Sequence, residues 1–129
     1  MNDRAKGQTI LETELRVEPV KLAELERAIG TDSAGQTAAL VPYFGPTIAG
    51  EGRLVEVLDL DFAKALLAGH AYEWSRPFVP GERLRVRVYV DDVYQRGPNS
   101  FAIVAAEFQD GAGAVVQRQR TTFIERGGE

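Results

Sequence analysis

Proton-transfer and metal chemistry depend mainly on histidine, cysteine and carboxylate groups, and this chain holds one histidine, His70, and no cysteine. A Ser-His-Asp triad would need that one imidazole, and a site with two or three histidine ligands cannot be built from one chain. The missing cysteines exclude a disulfide scaffold, a thiolate metal site and a cysteine nucleophile. Any acid/base step must therefore use His70, carboxylates, tyrosines or a partner subunit, and no metal or cofactor is expected.

Arginines recur at every second position in two stretches of the C-terminal half. Their guanidinium groups bind phosphates and carboxylates through paired hydrogen bonds. Alternating charge is also typical of the solvated face of a half-buried strand, and this interpretation is favoured here. The residues concerned are Arg83, Arg85 and Arg87 in the first stretch and Arg118 and Arg120 in the second.

Length and charge limit the class of protein. With 129 residues, 44% hydrophobic and 26% charged residues, the chain has the composition of one globular domain, which we expect to span residues 1–129. A net charge of -4 disfavours nucleic acid as a partner. No apolar run reaches the roughly 18 residues of a membrane span, and residues 1–8 are polar, unlike a signal peptide. We therefore expect a cytoplasmic protein with no membrane partner.

The N-terminal half predicts a strand followed by helices. Weak alternation predicts a short strand over residues 9–17, and the spacing after Pro19 predicts a helix ending at Gly30. Residues 31–52 resemble a loop that becomes partly buried near Pro42. Apolar residues four apart predict helical segments over residues 51–69, broken around Asp59 and Asp61 and ended by Gly69.

The C-terminal half predicts four strands. A strand over residues 71–74 leads to a turn at Pro80-Gly81, and strict alternation then places Leu84 to Val90 in a half-buried antiparallel strand. Turns at residues 97–100 and 110–113 separate strands over 101–108 and 114–124. The order predicts an α+β domain, an antiparallel sheet wrapped around one central helix. A steroid-isomerase-like cone and a flattened lipocalin-type barrel are the alternatives.

Five stretches, in this order, resemble the hot-dog domains of the MaoC-like and fatty-acid-synthase-like dehydratases, in particular the N-terminal-half type. The stretches are residues 28–30, 58–62, 71–82, 86–94 and 105–126, and the resemblance covers about residues 8–126. It implies a hot-dog fold and a homo- or heterodimer that binds an acyl-CoA or acyl carrier protein thioester at the subunit interface. Active members hydrate trans-2-enoyl thioesters or dehydrate (R)-3-hydroxyacyl thioesters.

The family's signature Asp and His lie in a pattern close to GD.NP.H, and the chain departs from the family at this pattern. After Gly30 the chain reads TDSAGQTAAL, with Asp32 near the Asp position and no histidine. Syn addition of water needs one group to deprotonate water and another to protonate carbon. The departure therefore predicts a substrate-binding hydratase or dehydratase subunit that needs a catalytic partner. A stand-alone thioesterase, lyase or cyclase using Asp32 or Glu73, and a non-enzymatic ligand-binding protein, remain open.

Asp32, Tyr43 and His70 are the candidate catalytic residues, although His70 does not align with the catalytic histidine of the family. For each, a structural role is favoured: a turn-forming Asp32, a core-packing Tyr43, and a His70 at a surface or edge just before a strand, without chemistry.

Candidate substrate-binding residues follow from the same resemblance. Gln36 and Tyr43 lie where the family's substrate channel would pass, and either one could hold a thioester carbonyl. Arg83 and Arg85 could grip the phosphates of CoA or the acidic helix of a carrier protein. Arg76 is the remaining candidate, and we interpret it as part of an interface or structural ion pair.

Overall fold

The computed structural model describes residues 1–18 and 51–127, which form a five-stranded antiparallel sheet and a short helix. The elements are β1 (Thr9–Arg16), α1 (Glu51–Leu58), a 3-10 turn (Phe62–Lys64), β2 (Ala65–Trp74), β3 (Arg83–Arg96), β4 (Asn99–Gln109) and β5 (Val115–Glu125). The strand order is β1-β3-β4-β5-β2. The helix predicted over residues 19–30 lies outside the described residues, as do Asp32, Gln36 and Tyr43.

Strand β3 shows why the sheet has one buried face. Leu84, Val86, Val88 and Val90 are buried, whereas the arginines between them are exposed or half-buried, because alternate residues of a strand point to opposite faces. The buried side chains share a core cluster with residues of α1, among them Leu54, Val57 and Leu58. The predicted α+β class, an antiparallel sheet packed on a helix, is confirmed.

The helical prediction for residues 51–69 is right at its start and wrong at its end. Helix α1 stops at Leu58 because Asp59 has a φ of 50°, a left-handed conformation that ends helices. The Asp61 carboxylate then accepts the N–H of Ala63 at 3.0 Å and caps the 3-10 turn, so the predicted break at these aspartates is confirmed. None of the helices in the described ranges is long and apolar enough to cross a membrane.

Residues 65–69 are strand rather than helix. Strand β2 begins at Ala65 and pairs with β5 along its whole length, with a register shift between Leu67 and Gly69. The predicted strand over 71–74 therefore starts six residues earlier, Gly69 lies inside it, and His70 is a strand residue. Pairing with β5 outweighs the four-residue apolar spacing, because tertiary contacts override local preference.

Hydrogen bonds and ion pairs fix the loop that connects β2 to β3. Gly81 has a φ of 85°, which glycine adopts without strain, and its N–H donates to the Val17 carbonyl at 2.7 Å. The two Arg76 terminal nitrogens donate to the Glu82 carboxylate at 2.7 and 3.0 Å, and one lies 3.7 Å from Asp110. This loop is therefore tied both to the chain after β1 and to the β4–β5 turn.

Candidate functional site

The inner face of β5 is polar where that of the neighbouring strand β4 is apolar. Gln117, Gln119 and Thr121 occupy three successive inward positions and are fully buried. Burying polar groups is unfavourable unless they form hydrogen bonds, so these side chains need partners inside the protein. Their cross-strand neighbours on β4 are Phe108, Ala106 and Val104.

These three side chains and His70 lie in one row, which we call the inner polar row. His70 Nδ1 lies 2.6 Å from Thr121 Oγ1, Gln119 Nε2 donates to Gln117 Oε1 at 2.8 Å, and the Gln119 side chain acts on the pKa of the imidazole. The Tyr72 ring packs edge-on against the imidazole at 4.5 Å. The register of β2 on β5 sets this order, since it places His70 opposite Thr121 and Tyr72 opposite Gln119.

The Gln117 side chain lies at the end of the inner polar row, and its amide N–H donors are not used. Its Nε2 is buried and has no hydrogen-bond partner within the part of the chain that the structure describes. An unmet buried donor costs about 1–3 kcal/mol. Such groups are few in native proteins, and each calls for a specific explanation.

The environment of His70 favours the neutral imidazole. Burial lowers its pKa below the ordinary 6.5, and the hydrogen bond to Gln119 opposes that shift in part. A neutral imidazole near pH 7 can exchange a proton or bond to an uncharged ligand. The inner polar row therefore carries no positive charge at neutral pH.

Stability is expected to fall with acid through this one histidine. Because its pKa is lower in the folded chain, the unfolded chain binds more protons at pH values below 6.5, and the free energy of unfolding decreases there. Urea unfolding midpoints between pH 7.5 and 5 should decrease for the natural chain and less for His70→Gln, which keeps every carboxylate. Equal slopes, or an imidazole NMR titration with a pKa of 6.5 or above, would contradict this prediction.

The predicted phosphate-binding arginines line a cleft beside the β4–β5 turn. Arg83 and Arg85 border this space of about 300 Å³ together with Glu14, Gln109 and Asp110. Neither arginine forms an ion pair with any residue of 1–18 or 51–127. The cleft thus presents two guanidinium groups whose charges are not neutralised by a direct contact with any of the described residues.

The arginines of β5 are, in contrast, paired on the outer face of the sheet. Arg118 lies 3.4 Å from Glu107 and 3.9 Å from Glu73, and Arg120 lies 2.7 Å from Glu73. The Tyr89 hydroxyl donates to Glu107 at 2.6 Å, and burial together with this contact raises the pKa of Tyr89 to about 12. On this part of the outer face the arginines are thus paired with neighbouring carboxylates.

The structure separates the candidates into three groups. His70 belongs to the inner polar row, Arg83 and Arg85 line the cleft, and Arg76 is held by Glu82 and Asp110. Asp110 also lines the cleft, so the three arginines surround one turn. Within the described ranges no cluster of three or more His, Cys, Asp or Glu side chains is arranged to hold a metal ion.

Gln117, Gln119 and Thr121 are not among the residues predicted from the sequence, although the alternation of β5 indicates them. They alternate with Arg118 and Arg120, so a strand that exposes the arginines must direct them inward. A polar residue on the buried face of a strand is informative because buried polar groups are uncommon.

A family model described as "FAS1-like, dehydratase domain region" matches residues 25–119, well over half of the chain. The chain belongs to this dehydratase family. A UPF0336 protein of Saccharopolyspora erythraea is 34% identical over 70 residues, which make up 54% of this chain and 45% of that protein. The matched part is thus less than half of that relative's length, and family membership confirms the resemblance drawn from the five stretches.

Solved structures of dehydratases share the fold. A MaoC-like dehydratase matches with a TM-score of 0.73 and 20% identity, over 98% of this chain and 43% of its own. One chain of the HadBC complex of Mycobacterium tuberculosis, a (3R)-hydroxyacyl-ACP dehydratase, matches with a TM-score of 0.59 and 17% identity, over 91% of this chain and 98% of that one. The predicted hot-dog fold is confirmed.

Proposed function

We propose that this chain is the acyl-thioester-binding subunit of an (R)-specific enoyl-thioester hydratase or 3-hydroxyacyl-thioester dehydratase. In this proposal residues 1–129 form one hot-dog domain in the cytoplasm, and a second hot-dog chain supplies a complete Asp/His pair. The position of the only histidine carries the proposal: His70 lies on β2 beside Thr121, and residues 31–40 contain no histidine. The chain alone therefore lacks one of the two groups that syn hydration requires.

The exposed edge of the sheet supports a hot-dog partner. Strand β2 lies at the end of the strand order, and Leu66, Leu67 and Tyr72 on it are 48%, 58% and 41% exposed. A long apolar edge strand is a template for pairing with another chain, and exposed apolar patches mark interfaces. HadBC, which has this fold, is described as a complex. We place the partner along β2, as a second copy or a homologous chain.

The cleft of Arg83 and Arg85 is the proposed phosphate site. Guanidinium groups without ion-pair partners suit the phosphates of CoA or an acidic carrier protein surface. Arg76 contributes by holding the neighbouring turn through Glu82 and Asp110. Gln36 and Tyr43 are the proposed thioester contacts, and Asp32, Tyr43 and His70 are the proposed residual acid/base groups of this half-site.

Loss of enoyl-thioester absorbance tests the proposal directly. Crotonyl-CoA and a long-chain trans-2-enoyl-CoA are given to the chain alone, to a hot-dog protein of the same genome that carries the D.NP.H pattern, and to the two together. The chain alone should stay at background, whereas the mixture should exceed it by at least about a hundredfold, the usual contribution of a positioned acid/base group.

Activity in the chain alone is the outcome that counts against this assignment. If the isolated chain turns over either substrate and Asp32→Ala or His70→Ala abolishes the activity, the chain holds its own acid/base pair. Thioester cleavage rather than hydration would identify a thioesterase. Binding of acyl-CoA without turnover beside any hot-dog partner would identify a ligand-binding protein.

A further inference from the structure

The outer face of the sheet carries a row of apolar side chains near the β3–β4 hairpin. Its members are neighbours on four adjacent strands: Tyr94 on β3, Phe101 on β4, Ile124 on β5 and Leu66 on β2. The Tyr94 and Phe101 rings are stacked, with their centroids 4.9 Å apart. Leu66 is 48% exposed and the other three are half-buried. We call these four residues the outer apolar row.

Strand alternation places the outer apolar row on the side opposite the core. Phe123 packs against the core cluster, and because alternate residues point to opposite faces, Ile124 points outward. Leu67 pairs with Phe123 and Leu66 with Ile124, so Leu66 also points outward. A hot-dog partner that extends the sheet along β2 therefore leaves this face open.

Positive side chains follow the row on the side of the hairpin. Arg96 and Arg126 come two residues after Tyr94 and Ile124, which places them on the same face, and the Arg96 guanidinium lies 6.0 Å from the centroid of the Tyr94 ring. The Arg126 N–H donates to the Lys64 carbonyl at 2.9 Å, so a third exposed cation is adjacent. We call Arg96, Arg126 and Lys64 the cationic rim.

The cationic rim is a local excess of positive charge. Neither arginine of the rim forms an ion pair with any of the described residues. The acids nearby have partners of their own: Glu125 accepts from the Met1 ammonium at 3.0 Å, and Asp92, on the other side of the row, lies 3.6 Å from Lys6. This excess occurs on a chain whose net charge is -4.

The size and charge of this surface fit an acidic amphipathic helix. Neighbouring strands lie about 4.8 Å apart, so a row across four strands is about 14 Å long, the length of about nine helical residues. Such a helix packs its apolar face on a complementary apolar surface. The rim runs about 7 Å beside the row, within reach of carboxylates along the flank of a helix about 10 Å wide.

Two other occupants fit this surface less well. A second copy of the chain carries the same cationic rim and offers no excess of negative charge to it. Clusters that bind anionic lipid usually hold about four to eight basic residues beside the membrane, whereas the rim has three and the net charge of -4 opposes approach to an anionic surface.

We infer that the outer apolar row and the cationic rim together form a docking site for an acidic amphipathic helix of another protein. The apolar side chains of that helix pack on Phe101, Ile124 and Leu66, and its carboxylates pair with Arg96 and Arg126. This interaction goes beyond the proposed function, since it uses neither the inner polar row nor the cleft beside the β4–β5 turn.

Fluorescence anisotropy of two labelled helical peptides on the full chain tests the inference. One peptide has leucines along one face and glutamates elsewhere, and its twin has lysines in place of the glutamates. The natural chain should bind the glutamate peptide at least about tenfold more tightly than the twin, although its net charge favours the twin. Arg96→Glu combined with Arg126→Glu should reverse this preference. Leu66→Thr should weaken binding of the glutamate peptide about tenfold, because an apolar contact is lost.

A second pair of arginines provides the matched control. Arg83→Glu combined with Arg85→Glu makes the same change of charge on the same face, at the other end of β3, and should leave the peptide preference unchanged. Binding of the lysine twin by the Arg96 and Arg126 double variant shows that this variant is folded and that its surface is intact.

Every other outcome overturns the inference. These outcomes are failure of the natural chain to bind either peptide, equal binding of both peptides, and loss of the preference only in the Arg83 and Arg85 double variant. Sedimentation with phosphatidylglycerol vesicles that the Arg96 and Arg126 double variant abolishes would assign the surface to lipid. Self-association that this variant abolishes and Leu67→Lys retains would assign it to a second copy. The proposed function stands in each case, because its test measures turnover.

Discussion

Replacing Phe78 with alanine is expected to lower the free energy of unfolding by about 3–5 kcal/mol, the usual cost of removing a buried aromatic ring. Phe78 is 1% exposed although it belongs to the connection between β2 and β3. Its ring contacts Trp74 and Phe108, so its loss leaves a cavity at the end of the sheet. Urea unfolding followed by tryptophan fluorescence measures the change, since Trp74 is the only tryptophan.

The next residue is the matched control for this prediction. Val79 is 53% exposed, and Val79→Ala should change the free energy of unfolding by no more than about 0.5 kcal/mol. A loss below 1 kcal/mol in Phe78→Ala would mean that the loop does not anchor the core.

A lysine at Leu67 is expected to weaken association with the proposed hot-dog partner by about a hundredfold. Leu67 is 58% exposed on the edge strand, and placing a charge at the centre of a buried interface is strongly unfavourable. The free energy of unfolding of the isolated chain should stay within about 0.5 kcal/mol, because an exposed substitution removes no core contact. Sedimentation equilibrium of the natural and variant chains, with and without the partner, measures the dissociation constant.

Val79→Lys is the control for the interface, because Val79 is similarly exposed but lies off the β2 edge. It should leave the dissociation constant unchanged. Equal association by Leu67→Lys and the natural chain would place the partner elsewhere. A parallel loss in both variants would indicate a general effect of added charge rather than a contact along β2.

Local sequence determined those elements whose signals lie within a few residues of each other. The alternation from Leu84 to Val90 identifies β3 and its buried face, and Gly81 identifies the turn before it. Asp61 marks the cap of the 3-10 turn. In each case the physical cause is local: side-chain direction along a strand, a positive φ, or a carboxylate that reaches a nearby N–H.

The ordered motifs along the chain also determined the family and its fold. They do so because the set of motifs reflects the whole arrangement of strands and turns, whereas no single contact determines it. The sequence also departs from the family's Asp/His pattern in residues 31–40, which contain no histidine. That is why the sequence already favoured a subunit with a partner over a complete enzyme.

Only the tertiary structure decided the course of residues 65–70 and the surroundings of His70. Apolar spacing there fits a helix, and only pairing with β5 makes it a strand. The contact between His70 and Thr121 joins residues 51 positions apart. Such contacts depend on strand order and register, which residues close together in the chain do not encode.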